Sequence, residues 1–179
     1  MNILNRKQTG VALIISLIML VLMTIIGLAA IRVSLMEEKM AANSRDQALA
    51  FQAGEIALRD GESWLMSRVV EPIPTDDGNN RVWNPDGNQL DATNNQLNWW
   101  QERNLAWWVA NGQSYGQNIP NVNAAPRTII EYHEYITDDL VLGDGNVESG
   151  RVFYRITARS TGGSDQARIL LQSTVAKRY

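Results

Sequence analysis

From Val11 to Ile31 the chain reads VALIISLIMLVLMTIIGLAAI, a stretch with no charge in which only Ser16 and Thr24 are clearly polar. As a helix rising about 1.5 Å per residue it spans roughly 30 Å, the thickness of a bilayer's hydrocarbon core. A cleavable secretory signal has an apolar core of only about 7 to 15 residues followed by a small-x-small site. Here the run is longer, Leu28-Ala29-Ala30 makes a poor site, and the residues beyond continue as helix. Arg6 and Lys7 flank the front end, so the positive-inside rule keeps the N-terminus cytoplasmic and sends the rest across. By itself the stretch reads as a single-pass anchor with its C-terminal domain outside.

The helical pattern does not stop at the membrane. Residues 32–68, RVSLMEEKMAANSRDQALAFQAGEIALRDGESWLMSR, are rich in Ala, Leu, Met, Glu and Arg and free of proline. Leu35, Ala42, Leu49 and Ile56 recur with heptad spacing on one face, and Glu55 with Arg59 forms a favourable i,i+4 pair. An apolar half, 11–31, and an amphipathic half, 32–68, together predict one helix of about 85 Å. Gly54 and Gly61 weaken its far end, and Pro72 and Pro74 bar its continuation.

At these residues the chain resembles a type IV prepilin: a short basic leader ending in Thr9-Gly10, a hydrophobic helix starting at Val11, and a carboxy-terminal domain. GVALIISLIMLVLMTIIGLAAIR and ANSRDQALAFQAGEIALRDGE are similar, more closely, to the amino-terminal region of the PilX family of minor pilins. PRTIIEYHEY, FYRITARSTGG and ILLQSTVAKRY resemble that family's carboxy-terminal strands, and the middle is unmatched. The resemblance implies that residues 1–10 are a leader. A prepilin peptidase would cut between Gly10 and Val11 and methylate the new terminus. Losing Arg6 and Lys7 would release the helix from the cytoplasmic face, to pack in a filament through Ile15, Leu17, Leu20, Leu35, Leu49 and Ile56.

Most pilins carry glutamate at the fifth mature position, where it neutralises a neighbour's terminal amine; counted from Val11, that position is Ile15. A buried ammonium without a partner is costly, so a subunit lacking the carboxylate suits the tip better than the shaft. The resemblance implies the same placement. Its implied partners are the peptidase, other minor pilins, the major pilin and a large tip adhesin. Its implied locations are the inner membrane, with a periplasmic C-terminal domain, and then the extracellular pilus.

The segment from Glu71 to Ala125 is rich in Asn, Gly and Asp, with turn signals at Asp77-Gly78, Pro85-Asp86-Gly87 and Asn111-Gly112. Within it NQLNWWQERNLAWWVANG sets Trp99, Trp100, Trp107 and Trp108 at spacings that suit one short helix, with both pairs on nearly the same face. Two readings stand: a partner or sugar-binding surface, since tryptophan is enriched at binding hot spots, and core, since the chain has only 2 Phe. The final third reads as sheet: RTIIEYHEYIT, GRVFYRITARST and ARILLQSTVAK are strands, the last two joined through Gly162-Gly163-Ser164-Asp165. The expected fold is α+β and pilin-like, a long N-terminal helix packed on a small antiparallel sheet, with a head over 69–179.

Catalytic signals are nearly absent. Cysteine is missing, and His133, the single histidine, sits in a strand between Tyr132 and Glu134, which suits a surface or packing role. Asp144, Asn146 and Glu148 have the alternate spacing of a calcium loop, but Ser149 stands where that pattern wants glycine, which favours a solvated turn. No metal or cofactor is expected. A net charge of −3 offers no basic surplus for nucleic acid. The expected function is that of a non-enzymatic minor pilin that primes type IV pilus assembly, resides at or near the tip, and supports adhesion and twitching motility. The alternatives are a minor pseudopilin of type II secretion and, from another class, a membrane-tethered carbohydrate-binding module.

Overall fold

A computed structural model describes residues 10–85, 87, 89–91, 97–138 and 150–179. The chain divides into two units, 1–44 and 45–179. Helix α1, Val11–Met66, contributes to both. Within the first unit its apolar side chains, from Val11 through Met40, are exposed. Between Val11 and Ile31 the two polar side chains are satisfied within the helix: the Ser16 hydroxyl donates to the Leu13 carbonyl (2.9 Å) and the Thr24 hydroxyl to the Val21 carbonyl (2.7 Å). What this part of α1 offers its surroundings is hydrocarbon, the surface a bilayer tolerates. Among the described residues it is the one helix long and apolar enough to cross a membrane.

The second unit is built on a five-stranded sheet. Its spine is β3 (Arg127–Thr137), β4 (Gly150–Thr161) and β5 (Arg168–Lys177), paired antiparallel in chain order as the sequence predicts. The sheet is nevertheless mixed, because β1 (Val82–Trp83) joins β3 in parallel; β2 (Gln113–Ser114) pairs antiparallel with the start of β3. The parallel pair follows from the crossover between β1 and β3, which carries helices α2 (Trp99–Glu102) and α3 (Leu105–Asn111). His133 is the extra residue of a bulge in β3, between the pairs Tyr132↔Tyr154 and Glu134↔Phe153.

Each face of the sheet has its own core. On one face, Ala57, Leu58 and Leu65 of α1 pack with Val82, Ile130, Val152, Tyr154, Ile156, Ala158 and Val175. On the other, Trp83, Leu90, Trp99, Trp108 and Ile129 form a second cluster. The alternation of strand side chains does the sorting: neighbours Val82 and Trp83, and neighbours Ile129 and Ile130, go to opposite cores.

The face of α1 that meets the sheet is not the heptad face of Leu35, Ala42, Leu49 and Ile56. Leu49 and Ile56 are half-buried at the margin, and the contact belongs to Ala50, Ala53, Gly54, Ala57, Leu58, Gly61 and Leu65. A stripe of mostly small residues lets helix and sheet approach closely, where larger side chains would hold them apart. Gly54 and Gly61, weak points by helix propensity, are points of close contact: a Cβ at Gly54 would lie 2.9 Å from Leu171 Cδ1, and one at Gly61 would lie 3.1 Å from Ile156 Cγ2. Polar pins flank the stripe. Asp46 accepts from the Gly163 amide (2.5 Å) and the Ser164 amide (3.2 Å) in the β4–β5 turn, and the buried Ser160 hydroxyl donates to the Ala50 carbonyl (2.6 Å). Ser173 donates to Glu62 (2.6 Å), and the Lys177 ammonium donates to the Leu65 (2.8 Å), Met66 (3.0 Å) and Arg68 carbonyls, closing the C-terminus of the helix.

Candidate functional site

Two regions carry the residues singled out in the sequence. The first is the start of α1. The helix begins at Val11, and the Gly10 carbonyl accepts from the amides of Leu13 (3.3 Å) and Ile14 (3.4 Å). Cleavage after Gly10 would therefore fall at the helix's first residue. A Cβ placed on Gly10 would meet nothing within 4 Å, so the chain's own packing does not demand glycine there. Ile15, Leu17, Leu20 and Leu35 are all more than half exposed. The first carboxylate in α1 is Glu37, which leaves the apolar turns around Ile15 without an acid.

The second region is the tryptophan cap over β1 and β3. The chain does not form one helix here. It breaks at Arg103-Asn104 into α2 and α3, because the Asn104 side chain caps α3, accepting from the Trp107 amide (2.9 Å). Arg103 is drawn away to donate to the carbonyls of Leu90 (2.9 Å) and Gln89 (2.7 Å), with its guanidinium 5.0 Å from the Trp107 ring centre. The break folds the two tryptophan pairs onto each other. Trp99 lies 5.5 Å from Trp108 and 5.7 Å from Trp107, and Trp107 lies 5.7 Å from Trp83. Trp108 has no exposed surface and Trp99 only 4%, so these two rings are interior. Trp100 and Trp107 are partly buried, and they are the members of the set that a partner can reach.

Sequence reasoning missed Glu131. It stands opposite Trp83 in the parallel pair and Arg155 in the antiparallel pair, 3% exposed beneath the tryptophans. Burial raises its carboxyl above the ordinary range, while the Trp99 indole N–H and the charge of Arg155 offset part of that effect. Arg155 in turn lies 5.7 Å from the Trp100 ring centre and 3.4 Å from the exposed His133 Nδ1. A single acid in an alternating strand gives no local sign that its face is covered. Asp46 and Lys177 were missed for a similar reason, since their partners lie more than a hundred residues away. Asp144, Asn146 and Glu148 lie outside the described residues. Among the described residues no group of three or more His, Cys, Asp or Glu is placed to hold a metal ion.

Residues 9–59, which include Gly10, Val11 and most of the small-residue stripe, match the family model described as PilX N-terminal. Residues 70–177, which include the tryptophan cap and the whole sheet, match the one described as Type IV pilus assembly protein PilX C-term. The chain belongs to the PilX family. Membership makes it a minor pilin of type IV pilus assembly, with the long apolar helix and small mixed sheet of a pilin-like α+β fold. No curated protein and no solved structure is matched. In this PilX-family chain the C-terminal match reaches through the middle segment that shows no resemblance by eye, so the tryptophan cap falls within the region the family model covers.

Proposed function

We propose that this minor pilin primes type IV pilus assembly and ends at or near the pilus tip, where it supports adhesion and twitching motility. The N-terminus would stay cytoplasmic and the head periplasmic until prepilin peptidase cuts after Gly10 and methylates Val11. The helix would then leave the inner membrane to pack against other minor pilins and the major pilin, and the assembled tip would carry a large adhesin.

The observation that carries the tip reading is Ile15. If the subunit sat within the shaft, a neighbour's terminal ammonium would be buried beside a branched hydrocarbon side chain in place of a carboxylate. An uncompensated buried charge costs several kcal/mol. At the end of a filament that cost does not arise.

The test has two parts. Because a side chain at Gly10 meets nothing in this chain, Gly10→Val should leave folding intact while blocking removal of the leader, as read by mass spectrometry of the N-terminus. An identical cleaved terminus in both proteins would defeat the processing assignment. Independently, labelled protein on sheared pili should sit at one end. Labels spaced evenly along the shaft would defeat the tip assignment and leave the pilin assignment standing. Deletion should abolish pili; loss of protein secretion with pili retained would point to the type II secretion reading.

A further inference from the structure

Strand β4 carries a cation that the fold leaves without a partner. Ser160 is bonded to α1 on one face of the sheet, so by alternation its neighbours Arg159 and Thr161 project from the other, the face that bears the tryptophan cap. Directly opposite Arg159 on β3 stands Arg127, and opposite Thr161 on β5 stands Arg168. Like charges directly opposed destabilise a strand pair. Arg127 is engaged, donating to the Gly112 carbonyl (2.9 Å). Arg159 is half-buried, and among the described residues its guanidinium neither donates a hydrogen bond nor forms an ion pair. Burial disfavours its charge, the nearby charge of Arg168 disfavours it further, and Asp165 offsets only part, so its pKa lies below the ordinary arginine range. Asp165 itself accepts from the Asn123 side-chain amide (2.7 Å).

Thr161 is equally incomplete. It is 4% exposed, and its hydroxyl has no hydrogen-bond partner among the described residues. A buried polar group left unsatisfied costs free energy. Arg168 is exposed and commits only its Nε, to the Asp165 carbonyl (2.8 Å), which leaves its terminal nitrogens without an acceptor among the described residues. The geometry points to an oxyanion site on this face, where a phosphate or sulfate group, free or as a monoester, accepts hydrogen bonds from Arg159, from the terminal nitrogens of Arg168 and from the Thr161 hydroxyl.

What these groups share is the lack of an acceptor, and that selects the ligand. An anion satisfies all of them and offsets the opposition of Arg127 and Arg159. A carboxylate presents its oxygens in one plane and is matched by a single guanidinium fork. Here the donors come from neighbouring strands, with a hydroxyl at the base of the sheet face and guanidinium groups on longer stems. A tetrahedral group directs oxygens to all of them. Arg168 is exposed and Arg159 half-exposed, so their stems can turn aside and let an oxygen down to the hydroxyl.

The test uses the full chain in maltoside micelles. Phosphorus NMR line broadening of inorganic phosphate should saturate, as a site requires and a general salt effect does not. Glycerol phosphate in a parallel titration distinguishes a site that takes the monoester from one that takes only the free ion. Sulfate should compete with the phosphate, and acetate at equal ionic strength should not. Arg159→Gln and Thr161→Val should each weaken phosphate binding by about tenfold or more. Their ligand-free melting temperatures should hold or rise, since one removes a like-charge opposition and the other an unpartnered hydroxyl. A residue that served the fold alone would lower them. Arg151→Gln, whose arginine already pairs with Asp138 (3.4 Å), should bind phosphate like the parent. No saturable broadening, displacement by acetate as effective as by sulfate, or parent-like binding by Arg159→Gln or Thr161→Val would overturn the proposal.

Discussion

Replacing Gly78 with alanine should cost far more than any glycine-to-alanine change in an open loop. Gly78 sits at φ +66° in the turn that brings Thr75 onto Trp83. An L-residue held there is destabilised by about 1–2 kcal/mol through the contact between its Cβ and the backbone. The new Cβ would also lie 2.1 Å from Trp83 Cε2 and 2.3 Å from Nε1. Ordinary carbon contacts are about 3.5–4.0 Å, so the indole must retreat by more than an ångström. It has nowhere free to go, being 2% exposed and packed against the tilted Trp107 ring 5.7 Å away. Forcing extra volume into such a core typically costs another 1–3 kcal/mol. The sum, about 2–5 kcal/mol, is a large share of the roughly 5–15 kcal/mol that holds a domain together. It should appear in urea unfolding followed by tryptophan fluorescence, and as a fall in melting temperature of about 2–4 °C per kcal/mol. Gly116→Ala, where a Cβ meets nothing within 4 Å, serves as the control. In a Trp83→Leu background the clash should vanish and leave only the backbone strain. Equal stability of Gly78→Ala and Gly116→Ala would refute the reasoning, and an undiminished cost in the Trp83→Leu background would refute the assignment to the indole.

The tryptophans should separate by burial: Trp108→Ala should lose about 3–5 kcal/mol, whereas Trp100→Ala should lose clearly less in the same unfolding assay, because part of its ring is already exposed. Lys177→Met should remove charged hydrogen bonds from the last carbonyls of α1, lowering stability by about 1–3 kcal/mol and speeding amide exchange around Leu65 more than around Ala53. Two carboxyls should give stability opposite slopes in acid. Hydrogen bonds from the Ser164 side chain and the Ser164 and Gly163 amides lower Asp46 below 3.8, so its contribution is present above that value and lost as pH falls through the folded pKa. Burial raises Glu131 above 4.5, so the folded chain keeps a proton that the unfolded chain releases, and stability falls as pH rises from there through the folded pKa. Melting temperatures across the acidic range should therefore pass through a maximum, and Glu131→Gln should flatten its upper side.

How much of this was legible in sequence depended on the range over which each signal acts. The apolar run and the Ala/Glu-rich stretch after it announce a helix through composition alone, and α1 spans Val11–Met66. The three tail strands were readable because alternation and turn residues are local. The parallel β1 was not, since two residues carry no period. The break between α2 and α3 was missed because Asn104 fits the interior of a helical pattern as plausibly as it fits a cap, and only the pull of Leu90 and Gln89 on Arg103 decides between them. Which face of α1 meets the sheet had no sign in the hydrophobic pattern, because the contact is made mostly through the smallest side chains of the helix. Glu131 gave no sign because its burial is imposed by tryptophans that stand more than twenty residues upstream.

The pins between α1 and the β4–β5 hairpin join residues 110 to 118 positions apart. Contacts of such long sequence separation close late, because the chain between them must first surrender its freedom. At a synthesis rate of about 5–20 residues per second, the second half of α1 waits roughly 5–25 s for its sheet to emerge. A waiting helix with a broad leucine face would invite aggregation throughout that interval. A face that is mostly alanine and glycine, with only Leu58 and Leu65 among its larger members, exposes less hydrocarbon, so the same small side chains that permit close packing in the finished fold also make the unfinished one less adhesive.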